Sequence, residues 1–136
     1  MRKVWLILLI PGLSLYACAS QAAPILGTWK LTAYGPAEFP IPAVTDVDAT
    51  LTFNADGKVR GSGGCNQLSG EYEANGDRIT FSRVASTLMA CEEPQMRQEG
   101  VVHQVLADTA AFKIEDGTLT ITRENLILVL RAVPTK

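Results

Sequence analysis

Short apolar alternations broken by Asx-Gly pairs constrain this chain more than any other feature. Leu51 and Phe53 precede Asp56-Gly57, Ile79 and Phe81 follow Asn75-Gly76, and Leu119 and Ile121 follow Asp116-Gly117. Period two marks half-buried antiparallel strands, and an Asx-Gly pair supplies the positive backbone angles of a tight hairpin turn. The pattern predicts strands over 25–34, 49–54, 58–63, 70–74, 78–84, 112–115, 118–123 and 126–132, the last two joined at Glu124-Asn125. Between them, 94–107 changes period. Met96, Val101, Val102, Val105 and Leu106 recur at helical spacing, and Pro94 suits a first helical turn. Residues 35–47, with Pro36, Pro40 and Pro42, have no periodicity and predict a loop over one end, a candidate lid.

About eight antiparallel strands in so short a chain must curl, because a flat sheet exposes an apolar face and two edges. The expected fold is therefore mainly β: a small barrel or strongly curled sheet with one α-helix plugging an opening. Inward positions such as Leu51, Phe53, Phe81, Leu119 and Ile121 are the candidates for lining any cleft inside it.

Residues 1–19 are set apart as an export signal. Arg2 and Lys3 precede an apolar run from Val4 to Leu9 and then the small residues Ala17, Cys18, Ala19 and Ser20. Pro11-Gly12 interrupts the run, which is too short to cross about 30 Å of hydrocarbon. Two processing routes fit its end. Ala17-Cys18-Ala19 suits small-x-small cleavage, whereas Leu15-Tyr16-Ala17-Cys18 is similar to a lipobox, in which Cys18 becomes an acylated first residue and a membrane anchor. In the second case the resemblance to lipoproteins implies sorting to the outer membrane, since Ala19 rather than Asp follows the cysteine; in the first the protein is expected to be periplasmic or secreted. Residues 20–136 form a single domain.

Without Arg2 and Lys3 the chain holds ten basic against fourteen acidic residues, so the domain is mildly acidic. The cations are scattered among acids, which excludes the clustered Lys and Arg that nucleic acid requires. Cys65 and Cys91 remain as two thiols in an exported domain, where the compartment favours a disulfide. Such a bridge contributes about 3.5 kcal/mol in the chain-entropy model.

No constellation for catalysis or metal binding emerges. Ser62 in Gly61-Ser62-Gly63 lacks the spacing of a nucleophile elbow, and His103, the one histidine, has no obvious nucleophile or metal partner. Asp46, Asp48, Asp56, Glu92 and Glu93 lack the spacing of a calcium loop. Gly61, Gly63 and Gly64 end a strand and do not open a helix, so close approach of another segment is their expected role rather than a phosphate cradle. The expectation is a non-enzymatic protein without cofactor or metal.

Gly27-Thr28-Trp29, then Gly64-Cys65-Asn66, then Thr87-Leu88-Met89-Ala90-Cys91 give the chain a resemblance to the META/HslJ domain family over about residues 25–132. The resemblance implies a calycin-like barrel, an envelope location, and links to stress and novobiocin tolerance, with no defined reaction. In calycin-like barrels an early-strand tryptophan is often covered by a late-strand arginine, which makes Arg131 the expected cover of Trp29. Two functions follow as expectations: an apolar or peptide ligand held in a barrel cleft, or an unknown envelope partner met at the surface. In the second, the Pro-rich loop and Thr87-Leu88-Met89 form the contact patch.

Overall fold

The computed structural model describes residues 24–136; the export segment and Cys18 lie outside the described residues. Strand β1 (Gly27–Pro36) leads through a two-residue strand β2 (Ile41–Pro42) to β3 (Thr50–Phe53), β4 (Lys58–Ser62), β5 (Gln67–Asn75) and β6 (Arg78–Ser86). Helix α1 (Glu93–Val105) follows, then β7 (Thr109–Glu115), β8 (Thr118–Arg123) and β9 (Leu126–Ala132). All pairings are antiparallel. Neighbours in sequence pair around the sheet until β9 returns to β1, which closes eight strands into a barrel.

Closure depends on β1 serving two partners. Its start, Gly27 to Lys30, pairs with β3, while Trp29 to Pro36 pairs with β9. A register shift between Leu31 and Ala33 bends the strand between these duties, as a bulge does. The Pro-rich segment is not wholly loop, because β2 sits within it and pairs Ile41 and Pro42 with Tyr34 and Ala33. Proline is tolerated there because the two-residue strand stands at a sheet edge. At the β7–β8 turn Asp116 and Gly117 both take positive φ, 49° and 71°, the geometry that twists a hairpin correctly.

The alternation sends one face of each strand inward. Leu51, Phe53, Phe81, Leu119 and Ile121 are at most 3% exposed and belong to one continuous core with Val59, Ile79, Leu128 and Leu130. An open cleft would leave accessible surface on these five, so their expected role as cleft lining is corrected: they fill the barrel. Full burial of each such side chain contributes roughly 1.5–3 kcal/mol.

Helix α1 packs across one end of the barrel and adds Val102 and Val105 to the core, followed by Leu106. Met96, expected on the inward stripe, is exposed, and Gln98 and Glu99 face inward instead. The same end carries the 63–66 connection and the 87–92 segment. The β8–β9 turn at Glu124-Asn125 also lies at the helix end, where Arg123 Nη1 donates to the Gln104 carbonyl, whereas the opposite end carries the β3–β4, β5–β6 and β7–β8 turns and the start of β1.

Trp29 is buried near that opposite end, but Arg131 does not cover it. The register pairs Arg131 with Lys30 and Trp29 with Ala132, so the arginine shares the outer face with Lys30. Its Nη1 donates to the Asp116 carbonyl at 3.4 Å. The indole Nε1 donates to the Ile25 carbonyl at 2.8 Å, which satisfies the one polar atom of a side chain only 4% exposed. A one-residue change of phase moves a strand side chain to the other face, and that rule separates the two residues.

Candidate functional site

The two cysteine motifs meet over the start of α1. Cys65 and Cys91 are joined by a disulfide that closes 26 residues of sequence separation, tying the β4–β5 connection to the approach to α1. Glycines make the contact with the helix close. A Cβ at Gly63 would lie 2.9 Å from the Glu99 Cα, and one at Gly64 would lie 2.7 Å from the Gln98 Nε2. At Gly61 a Cβ would stand 1.9 Å from the Thr50 carbonyl oxygen. Any side chain at these places forces neighbours apart.

The glycines bring backbone amides within reach of two buried helix side chains. Glu99, 5% exposed, accepts from the Cys65 and Asn66 backbone N–H groups at 3.1 and 2.6 Å through Oε2, and from Asn66 Nδ2 at 2.6 Å through Oε1. Gln98, fully buried, accepts from the Val44 N–H at 2.7 Å and donates to the Gly63 carbonyl at 2.7 Å. Burial of such groups is tolerable only because they are bonded. Their signal in the sequence was spacing: 98 and 99 lie three or four positions before 102 on the inward face of α1. Their polarity made them look like solvated residues.

Asn66 passes this anchoring on to the second motif. Its Oδ1 accepts from the Thr87 hydroxyl at 2.9 Å and the Met89 N–H at 2.6 Å, and its Nδ2 also donates to the Met89 carbonyl at 3.3 Å. Thr87 in turn donates its N–H to the Gln67 carbonyl and accepts from the Gln67 N–H through its hydroxyl. The segment from Thr87 to Met89 is thus held at both ends of a tripeptide while Leu88 projects from it, 96% exposed.

Beside it lies a groove of about 420 Å³ between Thr87–Ala90 and α1, with Leu88, Met89, Met96, Gly100 and His103 among its lining residues. Asn66 and Glu99 also reach it. His103 Nε2 stands 3.9 Å from Glu99 Oε1. Both carboxylate oxygens already accept backbone or amide N–H groups, so Glu99 is committed to structure. Ser62 Oγ likewise accepts from the Gly64 N–H at 3.0 Å, an ST-type turn. Among the described residues no group of three or more His, Cys, Asp or Glu side chains is placed to hold a metal ion.

The remaining motif residues fall elsewhere. Gly27 opens β1 and Trp29 belongs to the core at the far end, whereas Gly64, Cys65, Asn66, Thr87, Met89, Ala90 and Cys91 gather at the helix end. Cys18 lies outside the described residues.

Fold and site together define a small closed antiparallel β-barrel whose helical plug is fastened by a disulfide and a buried Asn-Glu knot. The chain belongs to the META domain family, whose sequence profile matches residues 23–133. No curated protein sequence matches it. Among solved structures it is similar to a protein from Burkholderia xenovorans studied by NMR, at 21% identity and TM-score 0.66, covering 80% of this chain and 83% of that one. A second NMR structure is similar at 18% identity and TM-score 0.63, covering 78% and 88%. A crystal structure of a DUF4847 family protein from Bacteroides vulgatus follows at 14% identity and TM-score 0.55, covering 81% and 94%. At such identities these three structures speak for the fold alone.

Proposed function

We propose that this is a non-enzymatic barrel protein of the cell envelope that works by docking a polypeptide partner on its outer surface, at Thr87–Ala90 and the adjoining face of α1. The observation that carries this reading is Leu88, a large apolar side chain almost wholly in water on a backbone pinned on either side by Asn66. An apolar group held rigid in solvent loses little further entropy when a partner covers it. Met89 and Met96 add adaptable apolar surface beside it. The filled core argues against a ligand held inside the barrel. Export is supported by Arg2 and Lys3, the apolar run and the small residues at Ala17-Cys18-Ala19, and a disulfide suits an oxidising compartment. Acylation of Cys18 would place the protein on the periplasmic face of the outer membrane. Kinship with the META/HslJ group supports a part in stress or novobiocin tolerance.

The test is a photocrosslinking residue at position 88 in cells, compared with one at Lys113, which is exposed on β7. One discrete adduct from 88, absent from 113, is the expected result; adducts from neither, or equally from both, end the reading. Intact mass of the protein from its full-length gene reports separately whether Cys18 is the acylated first residue.

A further inference from the structure

The barrel has one incomplete seam. β6 runs from Arg78 to Ser86, but β7 pairs only with Arg78, Ile79 and Thr80. One further backbone bond, Phe81 N–H to the Asp108 carbonyl at 3.4 Å, ends the contact. From Ser82 onward the chain has β5 or its extension on one side and, among the described residues, no strand on the other. Two grooves occupy that other side and share His103. One, of about 350 Å³, is lined by Ser82, Arg83, Val84, Leu106 and Ala107; the second is the groove beside Leu88. Both lie between this segment and helix α1 and meet at His103, a trough beside the strand edge.

The backbone polarity of this edge follows from the bonds already described. The Thr87 N–H meets the Gln67 carbonyl, and the Met89 N–H and carbonyl meet the Asn66 side chain, so both residues turn their polar groups toward β5. Extended backbone alternates. Carried past the end of β6 at Ser86, that alternation directs the N–H and C=O groups of Ser86, Leu88 and Ala90 away from β5 and toward the trough, and among the described residues no backbone hydrogen bond outside the strand ladders engages Leu88 or Ala90. Arg83, with φ of 53°, interrupts the edge at its other end, so the regular stretch begins after it.

We infer that the trough takes an extended polypeptide segment of a partner protein, which adds as a strand to the Ser86–Ala90 edge while its alternate side chains rest against Leu88, Met89 and Met96. This rests on the surface-docking reading above and specifies its mode. Strand addition draws affinity from main-chain bonds and specificity from alternate side-chain sites. Arg83, which also pairs with Glu71 at 3.5 Å, is exposed at one mouth and Glu92 at the other, so a segment with a basic N-terminal and an acidic C-terminal residue matches both charges when it runs antiparallel to β6.

The probe is an acetylated and amidated peptide of alternating valine and threonine, about nine residues long, with lysine at its first and glutamate at its last position. Its partner is the isotope-labelled domain, observed by NMR and amide hydrogen exchange. The expected result is slowed exchange at Ser86, Leu88 and Ala90, with binding weakened at least about tenfold when alternate peptide amides are N-methylated. Leu88→Pro, which removes an edge N–H, should lose the peptide, while Leu88→Ala, which keeps it, should retain protection at Ser86 and Ala90. Equal binding of the methylated peptide overturns strand addition yet leaves surface docking standing, since side chains alone then suffice. Absence of any response at these amides overturns the proposal, and so does a concentration-dependent dimer abolished by Leu88→Pro, because the edge then belongs to a second copy. The crosslinking result at position 88 tells failure of this mode from failure of docking altogether.

Discussion

Glu99 holds Asn66 twice, accepting its backbone N–H and its side-chain amide at 2.6 Å each through separate carboxylate oxygens. A third donor, the Cys65 N–H, shares Oε2. Three N–H groups facing two oxygens require an acceptor-only side chain. Glu99→Gln places an NH₂ group against at least one of them and leaves a buried donor unsatisfied, at about 1–3 kcal/mol. Asn66→Asp is expected to cost more, because it sets two carboxylates at hydrogen-bond distance. Urea midpoints rank the variants, and Glu99→Gln with wild-type stability would remove the knot from the account.

Glycines at this end obey opposite rules within one small region. Gly63 faces the Glu99 Cα, and a methyl group there meets backbone at 2.9 Å, so Gly63→Ala must push α1 outward at about 1–3 kcal/mol. Gly100 lies within α1 with nothing near its missing Cβ. Gly100→Ala therefore stabilises by about 0.5–1 kcal/mol through helix propensity alone. Thermal unfolding of both variants checks the pair of signs.

The disulfide and the Asn66 clamp secure the same segment by independent means. Replacing Cys65 and Cys91 with serine removes about 3.5 kcal/mol by the chain-entropy argument, and the melting temperature should fall accordingly. The clamp should keep Thr87 and Met89 in place in the folded protein, since none of its bonds involves sulfur. Amide chemical shifts of Thr87 and Met89 close to wild type in that variant are the expected readout; their dispersal would show that the bridge alone orders the segment.

Much of the architecture was legible because it is local. Asx-Gly turns and period two give the strands, and the change of period gives α1. What was not legible depends on contacts remote in sequence. Gln98 and Glu99 face inward only because the glycine run comes close enough to bond them, so their polarity pointed the wrong way. Arg131 was assigned to Trp29 by analogy, whereas register, which no single strand reveals, sets them on opposite faces. Glycine and asparagine in the first motif were identifiable, but the groove beside Leu88 arises from how Asn66 pins the second motif, and a helix end gives no hint of that.

Neighbouring residues of β5 give the fold opposite responses to pH. The Glu71 carboxyl titrates below the ordinary carboxylate range, first through its hydrogen bond from Lys58 and then through the charges of Arg83 and Lys58. Its contribution is present above the ordinary value of 4.5 and is lost as pH falls through the folded value. With about a third of its side chain in water and both partners more exposed still, it should give only a shallow, salt-sensitive slope. Tyr72 differs in that burial, then the nearby Asp56 charge, raises its phenol above 10.0. Its hydroxyl donates to the Asn54 carbonyl at 2.8 Å, and its ring meets Phe53 edge-on with centroids 5.0 Å apart. As pH rises, the unfolded chain releases the Tyr72 proton first, so stability is full below the ordinary value and falls as pH climbs through the folded one. Tyr72→Phe should melt lower than wild type at neutral pH, having lost the bond to Asn54, yet show a flatter decline from about pH 9 to about pH 11. Melting curves across that range decide it: equal slopes would mean that Tyr72 titrates in the folded state as it does in the unfolded chain.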